Sequence, residues 1–171
     1  MFDSIGDLPL HPLAIHAAVL GVPLTLLLAA LFTLPRTRNW ARWPLAVAGV
    51  GSLGAVFVAR ESGEALMNIL LTTQRLGGEA ALLVERHSEL AGSLFYLTAA
   101  VAVLSVVCAL VVGRLGGTAE RRGSRGRDSI LLVLLLVVSA LASFWVYRVG
   151  DLGATAVWNP TGTQTYSSTG R

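Results

Sequence analysis

Apolar residues in this chain fall into four long runs separated by short polar stretches. The runs are Leu13–Leu34, Leu45–Ala59, Leu90–Val112 and Ile130–Tyr147. The second is short by itself but spans when counted from Trp43 through Glu61. At ~1.5 Å per residue, runs of this length cross a hydrocarbon core of ~30 Å as helices. The pattern predicts transmembrane helices at about 13–34, 43–61, 88–112 and 130–148. Pro23 lies inside the first and predicts a kink, because it removes the bond to the carbonyl of Val19. Gly49, Gly51, Gly54 and Ala55 in the second predict close helix–helix approach.

The stretches between the runs differ in character. Pro35–Pro44 carries Arg36, Arg38 and Arg42, with Trp40 and Trp43 at interfacial positions. Residues 60–89 mix Arg60, Glu61, Glu64, Arg75, Glu79, Glu85, Arg86, His87 and Glu89. Ala65, Leu66, Ile69 and Leu70 recur there at helical spacing, and Gly77-Gly78 marks a turn. This segment is expected to form a helical hairpin that projects from the bilayer or lies on it. Gly113–Asp128 carries Arg114, Arg121, Arg122, Arg125 and Arg127 and is expected to be a solvated loop. The tail over 160–171 is rich in Gly, Thr and Ser and is expected to be loosely ordered.

Charge then sets an orientation. All 13 basic residues are Arg, and the net charge is +3. Three Arg in the first connection and five in the third place those loops in the cytoplasm by the positive-inside rule. Both termini and residues 60–89 then lie outside. This clustering is a topology signal and not a nucleic-acid surface. The N-terminus carries Asp3 and Asp7 and no basic segment, so the first run is expected to be retained as a membrane helix. The single cysteine, Cys108, leaves no disulfide within the chain.

The three histidines are the candidate chemistry. Leu10–His16 opens the first helix, with Pro12 in its first turn. His11 and His16 are five residues apart, about 140° around a helix at ~100° per residue. The wheel is read with His16 facing the packed side and His11 facing the rim. His87 heads the third run. His16 and His87 are therefore expected to form an outer-face site, assisted by Arg60 and Glu64. Two imidazoles on facing helices suit b-type haem, with Arg60 on a propionate and Gly51 or Gly92 leaving room for the porphyrin edge. A zinc, copper or iron site of His16, Glu64 and His87, with Glu61 or His11, is a second reading. The third is a buried His16–Arg60–Glu64–His87 network in a non-catalytic accessory or scaffold subunit, with a membrane-protein partner or a second copy on its outer cap. No catalytic triad, phosphate loop or paired-acid motif stands out.

The motif Leu10-His11-Pro12-Leu13-Ala14-Ile15-His16 resembles the opening of a bacterial membrane family catalogued as domain of unknown function 2231. Ser62-Gly63-Glu64, Glu85-Arg86-His87-Ser88-Glu89 and Tyr147–Ala154 through Val157-Trp158 are similar to further parts of that family. Ala17-Ala18 departs from it, where Phe-Pro is usual. The resemblance implies an all-α, four-helix integral protein of the bacterial plasma membrane, and it supplies no activity. Together these readings predict an N-out/C-out bundle with an extracytoplasmic hairpin between helices 2 and 3.

Overall fold

A computed structural model describes residues 4–5, 8–112 and 120–164, with side chains over 10–112 and 126–164. Four helices dominate it: α1 (Leu10–Thr33), α2 (Arg38–Thr72), α3 (Gly78–Val111) and α4 (Glu120–Trp158). Ahead of them, β1 (Ser4–Ile5) and β2 (Leu8–Pro9) form a two-residue antiparallel bridge. Each helix contains a stretch long and apolar enough to cross a membrane. Short connections make sequential helices antiparallel. α1 packs on α2 and α4, and α3 packs on the same two. α1 and α3 therefore stand on one diagonal of a four-cornered bundle.

The helices outrun the apolar runs. α2 has 35 residues and α3 has 34, about 50 Å each at 1.5 Å per residue. The segment over 60–89 is the shared tip of these two helices and not a separate unit, because its apolar residues continue the helical spacing. The chain reverses over 73–77, where Gln74 (φ 55°) takes left-handed backbone, as does Gly78 (φ 62°) at the start of α3. Thr73 N donates to the Ile69 carbonyl (3.0 Å) and Arg75 N to that of Leu70 (2.9 Å), closing α2. The third connection is shorter than expected. α4 begins at Glu120, so Arg121–Asp128 is helical. Arg114 and residues 113–119 lie outside the described residues, as do 165–171 of the tail. Residues 159–164 form a turn in which Gln164 N donates to Asn159 Oδ1 (3.0 Å).

The first connection uses its arginines as helix caps. Arg38 donates to the carbonyls of Phe32 (3.1 Å) and Thr33 (2.9 Å), ending α1. Arg42 donates to the Val112 carbonyl (3.0 Å), ending α3. A guanidinium there satisfies orphan carbonyls and opposes the negative helix end.

Inside and outside reverse the pattern of a water-soluble bundle. Leu20 (71%), Val47 (70%) and Val103 (63%) within the apolar runs are strongly exposed, while Ala29, Ala41, Thr25, Ser105 and Ser139 are wholly buried. Lipid rewards large apolar side chains outside, and close backbone packing selects small ones inside. Two apolar clusters fill the centre. One holds Leu28, Phe32, Leu45, Cys108 and Leu135. The other holds Ala18, Val22, Val56, Leu94, Val101 and Val146. On each helix one buried hydroxyl separates the clusters along the chain: Thr25, Ser52, Ser105 and Ser139. Thr25 bonds Ser52 at 3.0 Å, tying α1 to α2.

The two helical hairpins share part of their buried register. A shift of 76 residues carries the buried positions Ala18, Val22, Thr25, Ala29 and Phe32 onto Leu94, Thr98, Val101, Ser105 and Cys108, all of them buried. A shift of 90 carries Leu45, Gly49, Ser52 and Val56 onto Leu135, Ser139, Ala142 and Val146, again all buried. The halves share a packing register with little residue identity.

Candidate functional site

The same shifts carry His11 onto His87 and meet at the end of the bundle that holds the α2–α3 turn. The two rings face each other across the α1–α3 diagonal, with centroids 6.2 Å apart and planes at 89°. Each is anchored on the helix that follows its own. His11 Nδ1–H donates to the Ala59 carbonyl of α2 (2.8 Å). His87 Nδ1–H donates to the Val149 carbonyl of α4 (2.9 Å). A carbonyl only accepts, so Nδ1 carries the proton in both rings. In the neutral ring Nε2 then holds the free lone pair. Backbone anchoring of Nδ1 is the arrangement that orients metal-ligating histidines.

A glycine lies under each ring, four residues beyond the anchoring carbonyl. A Cβ at Gly63 would come within 3.0 Å of His11 Cε1, and one at Gly153 within 3.0 Å of His87 Cε1. The half-site is thus built twice: a histidine on the odd helix, with a carbonyl and then a glycine one turn later on the even helix, although His11 opens α1 and His87 lies well inside α3. Ser62 fits beside the first copy. Its hydroxyl donates to the Val58 carbonyl (2.7 Å) and lies 3.5 Å from His11 Nδ1.

The expected partner of His87 was His16, and here the structure differs. His16 is exposed, and its Nδ1 bonds the Pro12 carbonyl of its own helix (2.6 Å). The packed face of α1 runs through Ala14, Ala18, Val22, Thr25, Ala29 and Phe32. His11 precedes Ala14 by three residues and shares that face, whereas His16 lies between its rows. Arg60 and Glu64 pair with each other at 3.1 Å, and Arg60 also sits 5.8 Å over the Phe95 ring. Neither is held toward the imidazoles. Cβ atoms at Gly51 and Gly92 would meet open space. Among the described residues no group of three His, Cys, Asp or Glu side chains is close enough to hold a bare metal ion.

The sequence names His11 only as an optional metal ligand beside His16 and His87, and it does not single out the carbonyls of Ala59 and Val149 or Gly63 and Gly153 as parts of the site. The signal was present. Ala59-Arg60-Glu61-Ser62-Gly63 and Val149-Gly150-Asp151-Leu152-Gly153 both place an acid two residues and a glycine four residues after the anchor. No family model, no curated protein and no solved structure matches this chain. Its reading therefore rests on four apolar helices around a duplicated imidazole half-site.

Proposed function

We propose that this chain is a plasma-membrane electron carrier that holds b-type haem between His11 and His87. The observation that carries the reading is the pair itself: two backbone-anchored imidazoles on diagonal helices, each Nε2 without a hydrogen bond among the described residues. Two protein ligands are too few for zinc or copper, which draw three or four from the chain. They suffice for iron that brings its own equatorial nitrogens, and haem would supply reversible one-electron chemistry. His11 and His87 would hold the iron, and their rings lie close enough together, 6.2 Å between centroids, to share one group.

In this reading both termini and the α2–α3 tip lie outside, and the arginine-bearing connections lie in the cytoplasm. The resemblance to a bacterial membrane family agrees with a bacterial plasma membrane. The haem would then exchange electrons at the outer face.

The test is reconstitution of the purified chain with haemin. The native protein should develop a Soret band that shifts on reduction. His11→Ala and His87→Ala should each abolish its six-coordinate form, and His16→Ala should leave it unchanged. Rings at 89° should also give a strongly anisotropic low-spin ferric resonance. A native protein that stays colourless under these conditions would leave the imidazole pair as a helix clamp in a scaffold subunit.

A further inference from the structure

The two half-sites match in carbonyl and glycine but differ beside the ring. Ser62 follows Ala59 by three residues, and it is 1% exposed. Its Oγ–H donates to the Val58 carbonyl at 2.7 Å, the shorter of two carbonyl contacts, the other being to Ala59 at 3.0 Å. Donation to the fourth preceding carbonyl recurs at Thr25 and Ser143 and sets the direction of the proton. The oxygen itself lies 3.5 Å from His11 Nδ1. The shift of 90 residues places Leu152 at this position in the second half. Among the described residues the Val149 carbonyl is the one hydrogen-bond partner of the His87 ring.

A hydroxyl whose proton points to Val58 presents the negative end of its dipole to the His11 ring. Binding a metal through Nε2 draws electron density from an imidazole and builds positive charge at Nδ1–H. An opposite partial charge 3.5 Å away favours that state, and the burial of Ser62 leaves it weakly screened. A leucine supplies no such dipole to His87. Outer partners of this kind raise the basicity of a ligating histidine. We propose that Ser62 is a positioning residue that makes His11 the firmer of the two haem ligands and leaves His87 the more readily released. This rests on the haem reading above, because only a group shared by both rings sets them in competition.

Haemin titration of the full-length chain separates the two ligands. His87→Ala leaves His11 alone, and His11→Ala leaves His87 alone. The first should hold haemin about tenfold more tightly than the second, the size of effect that outer-shell partners have on metal affinity. Adding Ser62→Ala should remove most of that difference, and adding Leu152→Ser to His11→Ala should tighten its hold. A second measurement needs neither haemin nor a histidine variant. Ser62→Ala, which removes one oxygen, should shift the His11 Nδ1 resonance by NMR and leave that of His87 in place. Equal haemin affinities in His11→Ala and His87→Ala would overturn the proposal while sparing the haem site. So would a difference that survives Ser62→Ala, or an unmoved His11 resonance. A native chain that takes up no haemin would instead end the haem reading, and this proposal with it.

Discussion

At the scale of single residues, the site is defined by what lies under and behind each imidazole. The carbonyls of Ala59 and Val149 fix the tautomer, and Gly63 and Gly153 set how closely each ring approaches the next helix. A methyl group at either glycine must displace a ring whose Nδ1 is tied to a backbone carbonyl. Overpacking of this kind costs ~1–3 kcal/mol. Gly63→Ala and Gly153→Ala should therefore lower the unfolding midpoint in detergent by similar amounts, since both Cβ atoms meet Cε1 at 3.0 Å. The near-equality is the informative part, because it checks that the two half-sites are equivalent. A large effect at one glycine and none at the other would contradict that equivalence.

At the scale of helices, small residues are not interchangeable. The sequence grouped Gly49, Gly51 and Gly54 as one contact surface, and the structure separates them. A Cβ at Gly49 would lie 2.8 Å from Ser105 Oγ and 3.4 Å from Ala102 Cα, where α2 meets α3. Cβ atoms at Gly51 and Gly54 would meet nothing within 4 Å. Gly49→Ala should thus cost ~1–3 kcal/mol by forcing the helices apart. Gly51→Ala should gain ~0.5–1 kcal/mol by removing backbone freedom from the unfolded chain. Chemical denaturation in mixed micelles measures both, and a loss at Gly51 matching that at Gly49 would contradict this packing. Helix lengths were also only partly legible. Hydropathy marks where a helix can lie in lipid, whereas hydrogen bonding continues wherever the backbone allows. α2 and α3 accordingly run past their apolar stretches to the turn at 73–77.

At the scale of the whole molecule, alternation of antiparallel helices brings the start of α1, the α2–α3 tip and the end of α4 to one end. The arginine-bearing connections occupy the other. The proposed orientation makes this testable on intact cells, with Cys108 buried and so silent to the reagent. A Gln74→Cys variant should react with a membrane-impermeant maleimide from outside, and Arg36→Cys only after permeabilisation. The opposite labelling would reverse the orientation and move the imidazole pair to the cytoplasmic side. The repeated hairpin also explains why the pair forms where it does. Two similar halves packed about a common centre bring equivalent residues closest at that centre, and His11 and His87 are such a pair.

The sequence by itself determined the four helices, their apolar character and the arginine asymmetry, because these are properties of local composition and period. It also offered the three histidines as candidate chemistry. It could not decide which histidine of α1 faces inward. In lipid the largest apolar side chains point outward, so the usual equation of apolar with buried misorients the wheel, and His16 takes the place of His11. That choice belongs to tertiary packing. The stripe of small residues that lets α1 approach its neighbours turns His11 to the α1–α3 diagonal, and the carbonyls and glycines of α2 and α4 hold the rings there.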